Sequence, residues 1–219
     1  FPENKVKMQN ILDLIFPPRC VFCENYGSLV CESCLKSCRY LRKSFSLTSN
    51  QAVHPLQVFS YFVYETKIRD CIKYSKYSKK QFAVLREVSK YAISDMLAKK
   101  ILFPNAYVIP IPLSNQKKKS RGFNQAEIIA SVLAKGYGFS LQNSILTRQK
   151  DTLSQHRLNK EARLENMKGA FAVPSVVKGH KFILVDDICT TGATLIESAN
   201  AFYAAGALEV VAFTLSRRL

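Results

Sequence analysis

The segment at residues 182–194 constrains the fold of this chain more than any other feature. Its sequence, FILVDDICTTGAT, begins with four apolar residues, continues with two aspartates and ends in a small turn rich in hydroxyl groups. A continuous apolar run is typical of a central parallel strand that is covered on both faces. Because open α/β sheets bind ligands at the carboxyl ends of their strands, the two aspartates are predicted to lie at a ligand site.

The turn that follows the aspartates is predicted to hold a phosphate group. Free backbone N–H groups at the start of the next helix, together with threonine hydroxyls, would donate hydrogen bonds, and the helix dipole favours negative charge there. A sugar phosphate suits both the aspartates and the turn. Its 5-phosphate would lie in the turn, and Asp186 and Asp187 would accept hydrogen bonds from its 2- and 3-hydroxyls. The residues of the turn are Thr190, Thr191, Gly192, Ala193 and Thr194.

Two other interpretations explain part of this segment. A P-loop nucleotide hydrolase also ends a strand in acidic residues, but it requires a Gly-x4-Gly-Lys-Ser/Thr loop elsewhere, and the sequence contains none. The purely structural alternative is an acidic strand end that caps a helix.

The rest of the chain alternates between strand-like and helix-like segments, which predicts an α/β fold with a mostly parallel sheet and flanking helices. Strands are predicted at residues 57–64, 106–111, 182–185 and 209–215, and a long amphipathic helix at 81–100. A basic loop is predicted at residues 114–122, with helices after it and after the segment at 182–194. Residues 42–50 are polar and are predicted to link a small module at residues 1–45 to the main domain at 46–219.

The N-terminal module contains a cluster of cysteines after a short amphipathic helix. The helix is predicted from Val6, Met8, Ile11, Leu12, Ile15 and Phe16. Two Cys-x2-Cys knuckles follow it, formed by Cys20 with Cys23 and by Cys31 with Cys34. Four thiolates at this spacing predict a structural zinc site of the ribbon type. Disulfides in a secreted protein and four unliganded thiols are the alternatives.

The charge of the chain favours a polyanionic partner. The net charge is +16, and residues 64–121 contain 14 basic and 4 acidic residues. Such a field attracts nucleotide phosphates, nucleic acid or an anionic membrane surface, although a basic solvent-exposed surface is the simpler explanation. One stretch interleaves aromatic rings with cations, as single-strand binding favours, while tyrosines that anchor a helix end are an equal alternative. Its members are Lys73, Tyr74, Lys76, Tyr77, Lys79 and Lys80.

Two sets of motifs carry a resemblance to known families. The segment at 182–194 resembles the phosphoribosyl pyrophosphate motif of type I phosphoribosyltransferases. A second set resembles the ComF family of competence-associated proteins, as do the zinc knuckles, and the chain is identified as a member of that family. The second set comprises Arg121-Gly122-Phe123-Asn124-Gln125-Ala126, Gln155, Leu158, Arg163, Asn166 and Gly169-Ala170-Phe171.

The resemblance implies a type I phosphoribosyltransferase fold that binds phosphoribosyl pyrophosphate. It implies a pyrophosphate-binding turn at Ile111, Pro112 and Leu113, followed by a flexible loop at residues 114–123. Arg121 and the lysines at 117–119 would neutralise the leaving pyrophosphate, although a solvated charge run explains those lysines equally well. Asp186, Asp187 and Arg121 are the expected catalytic residues. Magnesium would arrive with the ligand.

The resemblance also implies a role in natural transformation, with single-stranded DNA and a helicase-like protein or membrane DNA channel as partners. No apolar run reaches the roughly 18 to 20 residues of a membrane span, so a cytoplasmic location is expected. The resemblance adds the inner face of the membrane as the expected place. The alternative function is an active phosphoribosyltransferase that transfers the ribosyl 5-phosphate group to a nucleobase or similar acceptor and releases pyrophosphate.

Overall fold

The computed structural model describes residues 17–75, 79–150, 166–174 and 177–219. The predicted N-terminal amphipathic helix lies outside the described residues. Of the helices that are described, none has the length and apolar character needed to cross a membrane.

The described part of the chain contains seven strands in two sheets. In chain order they are β1 (Tyr40–Leu47), β2 (Leu56–Val63), β3 (Tyr107–Pro110), β4 (Thr147–Arg148), β5 (Phe171–Ala172), β6 (Lys181–Cys189) and β7 (Glu209–Arg217). The larger sheet has the order β1-β2-β7-β6-β3, and β4 pairs with β5. All neighbours in the larger sheet are parallel except β1 and β2. The prediction of a mostly parallel sheet is therefore confirmed.

Helices cover both faces of the larger sheet. Those described are α1 (Glu32–Lys36), α2 (Thr66–Ser75), α3 (Lys79–Ala98), α4 (Asn115–Arg121), α5 (Gln125–Tyr137) and α6 (Ala193–Ala204). One core contains buried residues of α2, α3 and α5, and the other contains those of α6. Helices therefore lie on both sides of the sheet, as predicted.

Strand β6 lies inside the larger sheet, between β7 and β3. Its side chains alternate between the two faces, as the geometry of a strand requires. Ile183 and Val185 join the core under α3 and α5, whereas Phe182 and Leu184 join the core under α6. All four are buried almost completely. The apolar run of the sequence is thus explained by burial on both faces.

The prediction that residues 42–50 form a linker is wrong, because residues 42–47 belong to β1. An antiparallel edge strand buries one face only, so its sequence has few apolar residues. Phe45 and Leu47 pack against the core under α6, while Ser44 and Ser46 are exposed. Strand β1 also runs across residue 45, where the division between two domains is predicted. That division stays a prediction.

Candidate functional site

A cleft of about 290 Å³ lies at the carboxyl ends of β3 and β6. It is at the edge of the sheet where ligands of open α/β folds bind. The cleft brings together eleven residues that the sequence predicts for a phosphoribosyl pyrophosphate site. These are Ile111, Pro112, Leu113, Arg121, Asp186, Asp187, Thr190, Thr191, Gly192, Ala193 and Thr194.

The two aspartates stand on the last part of β6, where pairing with β7 still fixes the backbone. The pairing continues beyond them to Cys189, which lies opposite Arg217. Asp186 Oδ1 accepts a hydrogen bond of 2.8 Å from the backbone N–H of Asp187. The buried Ser216 hydroxyl donates to the carbonyl of Asp187 at 3.2 Å. Both carboxylates are half-buried, so the site holds two acceptors at fixed positions beside the cleft.

The turn after β6 leads directly into α6. Gly192 has a φ of 80°, a left-handed value that glycine adopts without a steric penalty. The N–H of Ala193 donates to Thr191 Oγ1 at 3.4 Å, and no side chain caps the helix at Gly192. The first N–H groups of a helix have no partner inside the helix. Helix starts of this kind commonly bind anions, and a phosphate site at the start of α6 stays a prediction.

The opposite wall of the cleft is the turn at residues 111–113. The N–H of Ile111 donates to the carbonyl of Val185 at 2.9 Å. Asn124 Nδ2 donates to the Ile111 carbonyl at 2.9 Å, and Asn124 Oδ1 accepts from the N–H of Ala126 at 3.1 Å. One buried side chain therefore caps α5 and fixes the turn. The sequence signal for Asn124 was its place immediately before a helix, where asparagine is a preferred cap.

The prediction of a basic loop at residues 114–122, and of a flexible loop at 114–123, is wrong for residues 115–121, which form α4. The Ser114 side chain accepts from the N–H of Lys117, and Gly122 ends the helix with a φ of 72°. Basic residues in the last turn are favourable at the negative end of the helix dipole. Lys117 and Arg121 line the cleft. Lys118 and Lys119 are exposed and do not belong to the cleft lining. Their exposure agrees with the alternative interpretation of a solvated charge run.

The cleft lining also includes Tyr64, Arg148 and Arg218, which were not predicted. Tyr64 and Arg218 directly follow β2 and β7, and Arg148 ends β4. Their position at strand ends is the sequence feature that could have indicated them. Burial raises the pKa of Tyr64, and the nearby Asp187 raises it further. With Lys117 and Arg121, the two arginines give the described lining four cations against two carboxylates. An excess of positive charge in a cleft attracts polyphosphate ligands.

The four cysteines of the predicted zinc site come together. Their sulfur atoms all lie within 4.8 Å of one another. Tetrahedral Zn–S bonds of about 2.3 Å separate sulfurs by about 3.8 Å, so the cluster fits one metal ion. The N–H of Cys31 donates to Cys20 Sγ at 3.4 Å. Hydrogen bonds from the Ser33 side chain and the Cys34 backbone lower the pKa of Cys31 to about 6, whereas burial raises the pKa of Cys34 to about 12. A metal ion would bind both as thiolates.

All seven cysteines are free thiols, so this structure contains none of the disulfides that were the alternative. Cys38, Cys71 and Cys189 are buried outside the cluster. Burial raises the pKa of Cys189 to about 11 and that of Cys71 to about 12, as expected of inert core thiols. They have no evident part in either site.

The predicted nucleic-acid segment is only partly described. Lys73 and Tyr74 end α2 on an exposed surface, and 56% of Tyr74 is accessible. Lys76 and Tyr77 lie outside the described residues, and the backbone of Lys79 and Lys80 begins α3, with their side chains outside the description. Among the residues that carry the family resemblance, Gln155, Leu158 and Arg163 also lie outside the described residues.

Comparison with known families places the fold. Residues 119–219 match the model of the phosphoribosyl transferase domain. The match includes the whole segment at 182–194 and, with the parallel sheet, confirms the expected type I phosphoribosyltransferase fold. It does not extend to the cysteine cluster.

Several proteins are similar in sequence. The chain is 34% identical over 112 residues to the DNA utilization protein YhgH of Salmonella typhi, covering 51% of this chain and 49% of that protein. It is 33% identical over 114 residues to the competence protein F of Haemophilus influenzae, covering 50% and 49%. The chain thus spans about half the length of these relatives. It is 27% identical over 223 residues to the competence protein ComFC of Bacillus subtilis, covering 99% of this chain and 85% of that protein.

Solved structures are more distant. The allosteric regulatory enzyme of purine biosynthesis has a TM-score of 0.44 and 18% identity, over 66% of this chain and 30% of that chain. The glutamine phosphoribosylpyrophosphate amidotransferase of Bacillus subtilis has a TM-score of 0.44 and 17% identity, with the same coverage.

Proposed function

The chain belongs to the ComF family of competence-associated proteins, and from this premise we propose that it binds phosphoribosyl pyrophosphate and assists the handling of single-stranded DNA in natural transformation. The observation that carries the proposal is the cleft itself, which gathers all eleven residues predicted for that ligand. The local pattern at residues 182–194 indicated seven of them and the family resemblance the other four, and turns that are far apart in sequence supply them.

The arrangement of these residues follows the chemistry of the ligand. The carboxylates of Asp186 and Asp187 suit the two ribose hydroxyls, and the start of α6 suits the 5-phosphate. The turn at residues 111–113, together with Lys117 and Arg121 of the same lining, suits the pyrophosphate.

Magnesium is proposed to enter with the ligand. The four-cysteine cluster is the one group of three or more potential metal ligands found among the described residues, so no separate carboxylate cage for magnesium is described there. Magnesium commonly uses one or two carboxylates together with substrate phosphates. Asp186 and Asp187 would supply the protein part of that coordination.

Zinc is the proposed occupant of the cysteine cluster, with a structural role. Four sulfur ligands leave no open coordination position, which is typical of structural zinc sites and not of catalytic ones. Cys34 and Cys20 are buried, so the cluster is partly shielded from solvent.

An active phosphoribosyltransferase is the second candidate, because the same cleft would bind the donor substrate. Apart from Asp186 and Asp187, the described lining contains no carboxylate or histidine that could take a proton from an acceptor. This favours a binding role. Incubation with phosphoribosyl pyrophosphate, magnesium and a panel of nucleobases tests it, and release of pyrophosphate with any base would overturn the accessory function.

The protein is expected to bind single-stranded DNA with little sequence preference and with an affinity that falls steeply as salt rises. Replacing Lys76, Lys79 and Lys80 with alanine should weaken binding to all sequences and flatten the salt slope by about 0.7 per lost phosphate contact. Tyr74→Ala and Tyr77→Ala should each cost about 1 to 3 kcal/mol if the rings stack on bases, with a smaller change of slope. Fluorescence anisotropy over a range of salt concentrations measures both effects.

A charge-matched control uses three lysines that already have carboxylate partners. Lys36 pairs with Glu32, Lys90 with Glu87 and Lys181 with Glu209, at 2.8 to 2.9 Å. Their triple alanine variant changes the net charge by the same amount but should leave the salt slope nearly unchanged. Equal losses in the two triple variants would contradict a local DNA site. Absence of binding by the wild type at moderate salt would contradict the DNA role altogether.

The proposed setting is the cytoplasm, at the inner face of the membrane where imported single strands emerge. A helicase-like protein or the membrane DNA channel would be the partner there. The names of the relatives, DNA utilization protein and competence protein, support this setting for the family. The basic charge of +16 is compatible with contact to either DNA or anionic lipid.

A further inference from the structure

We infer that Leu47, the last residue of β1, is a positioning residue that holds the turn at residues 190–194 in the conformation that receives a phosphate group. The inference rests on the proposed function and adds a residue outside the cleft to it. Leu47 is not part of the described cleft lining. Its effect on the ligand would therefore be exerted through the turn alone.

Leu47 contacts the turn at Gly192. A β-carbon at Gly192 would overlap Cδ1 of Leu47 and would lie 3.0 Å from its Cδ2 and 3.2 Å from its Cγ. Gly192 is buried, and the side chain of Leu47 packs against the core under α6. Two features therefore favour glycine at residue 192: its positive φ and the close approach of Leu47.

The turn receives little support from side-chain hydrogen bonds of its own. Glycine has the greatest backbone freedom of all residues, so a glycine turn loses the most entropy when it is fixed. No side chain caps α6 at Gly192, and the bond from the N–H of Ala193 to Thr191 Oγ1 is long at 3.4 Å. Packing by Leu47 therefore supplies a constraint that the turn lacks.

Strand β1 is anchored well enough to act as a support. At its start, the Tyr40 hydroxyl donates to the Leu35 carbonyl at 2.9 Å, and the Arg42 guanidinium lies 3.8 Å from the centre of the Tyr40 ring. Arg42 Nε also lies 3.0 Å from a carboxylate oxygen of Asp95 on α3. Near its end, the ring of Phe45 lies 3.4 Å from the guanidinium of Arg217. An edge strand that is fixed at both ends can hold Leu47 against the turn.

The test compares Leu47→Ala with the conservative Leu47→Met and with Leu41→Ala, the same truncation on the same strand. In Leu47→Ala, amide hydrogen exchange at residues 190–194 should become faster. The affinity for phosphoribosyl pyrophosphate should fall by about fivefold or more, because a smaller fraction of the turn is competent to bind. Leu47→Met should keep both properties near wild type, since methionine fills a similar volume. Leu41→Ala should also leave both unchanged.

A double-mutant cycle tests the contact itself. Gly192→Ala introduces both an overlap with Leu47 and a strained φ. Adding Leu47→Ala to that variant relieves the overlap and leaves the strained φ. The double variant should therefore lose less affinity than the product of the two single losses. Losses that multiply would show that the two residues act independently and would overturn the inference.

The two readouts separate this inference from the proposed function. Exchange at residues 190–194 that is the same in Leu47→Ala and wild type overturns the inference, whatever the ligand does. Faster exchange with unchanged ligand affinity also overturns it, since Leu47 would then be structural only. A third outcome is that exchange responds as expected but calorimetry detects no binding of phosphoribosyl pyrophosphate to the wild type. That result overturns the assignment of the turn to this ligand and the proposed function with it. The contact between Leu47 and the turn would still stand.

Discussion

Replacing Asp186 and Asp187 together with asparagine is expected to weaken the binding of phosphoribosyl pyrophosphate by about a hundredfold or more. Hydrogen bonds to charged groups contribute roughly 1.5 to 3 kcal/mol each, and about 1.4 kcal/mol corresponds to a tenfold change in affinity. The protein should remain folded, because asparagine keeps the side-chain oxygen that accepts the 2.8 Å bond from the N–H of residue 187. Calorimetry with magnesium present measures the loss.

Asp70→Asn is the matched control for this variant. Asp70 lies on α2, outside the cleft lining, and pairs with the neighbouring Arg69 at 3.1 Å. The same chemical change there should leave the affinity unaltered. If the double variant bound the ligand as tightly as wild type, the two aspartates would not belong to the ligand site and the proposed function would lose its main support.

The sequence was sufficient to predict β6 and the start of α6 because these elements depend on local patterns. A strand buried on both faces must be apolar throughout, and Phe182 and Ile183 contact opposite cores of the sheet for that reason. The turn at residues 190–194 follows such a strand directly. No long-range information was needed to place the two aspartates at its end.

Strand β1 was missed because its order comes from tertiary contacts. Its exposed face carries Ser44 and Ser46, so the sequence has the composition of a linker. Pairing with β2 and the contact between Arg42 and Asp95 stabilise it instead. Helix α4 was missed for a different reason. Its three consecutive lysines indicate a solvated loop, whereas the caps at Ser114 and Gly122 determine the helix.

The remaining cleft residues could not be predicted without the strand order. Tyr64 and Arg218 are far apart in sequence, but β2 and β7 are neighbours in the sheet and end on the same side. Arg148 reaches the cleft from the separate pair of β4 and β5. Local patterns show that a residue ends a strand, and only the topology shows which strand ends share a cleft.

Removal of ligands from the cysteine cluster is the other change with a large expected effect, on both zinc content and stability. The purified protein is expected to contain about one zinc per chain, and Cys20→Ser with Cys31→Ser should abolish its binding. Structural zinc contributes an apparent 10 to 16 kcal/mol or so in small domains, so the melting temperature should also fall clearly. Leu35 and Cys38 of this module pack in the same core as α3 and α5, so its loss would expose that core. Elemental analysis and thermal unfolding measure the two effects.

Cys38→Ala with Cys71→Ala provides the control, because these thiols are buried in the core outside the cluster. That variant should keep its zinc, even if cavities in the core lower its stability. Zinc affinity should also decrease as the pH falls, because the ligands bind as thiolates and protons compete with the metal. A wild-type protein without zinc, or a Cys20→Ser and Cys31→Ser variant that retains it, would contradict a zinc site formed by these four cysteines.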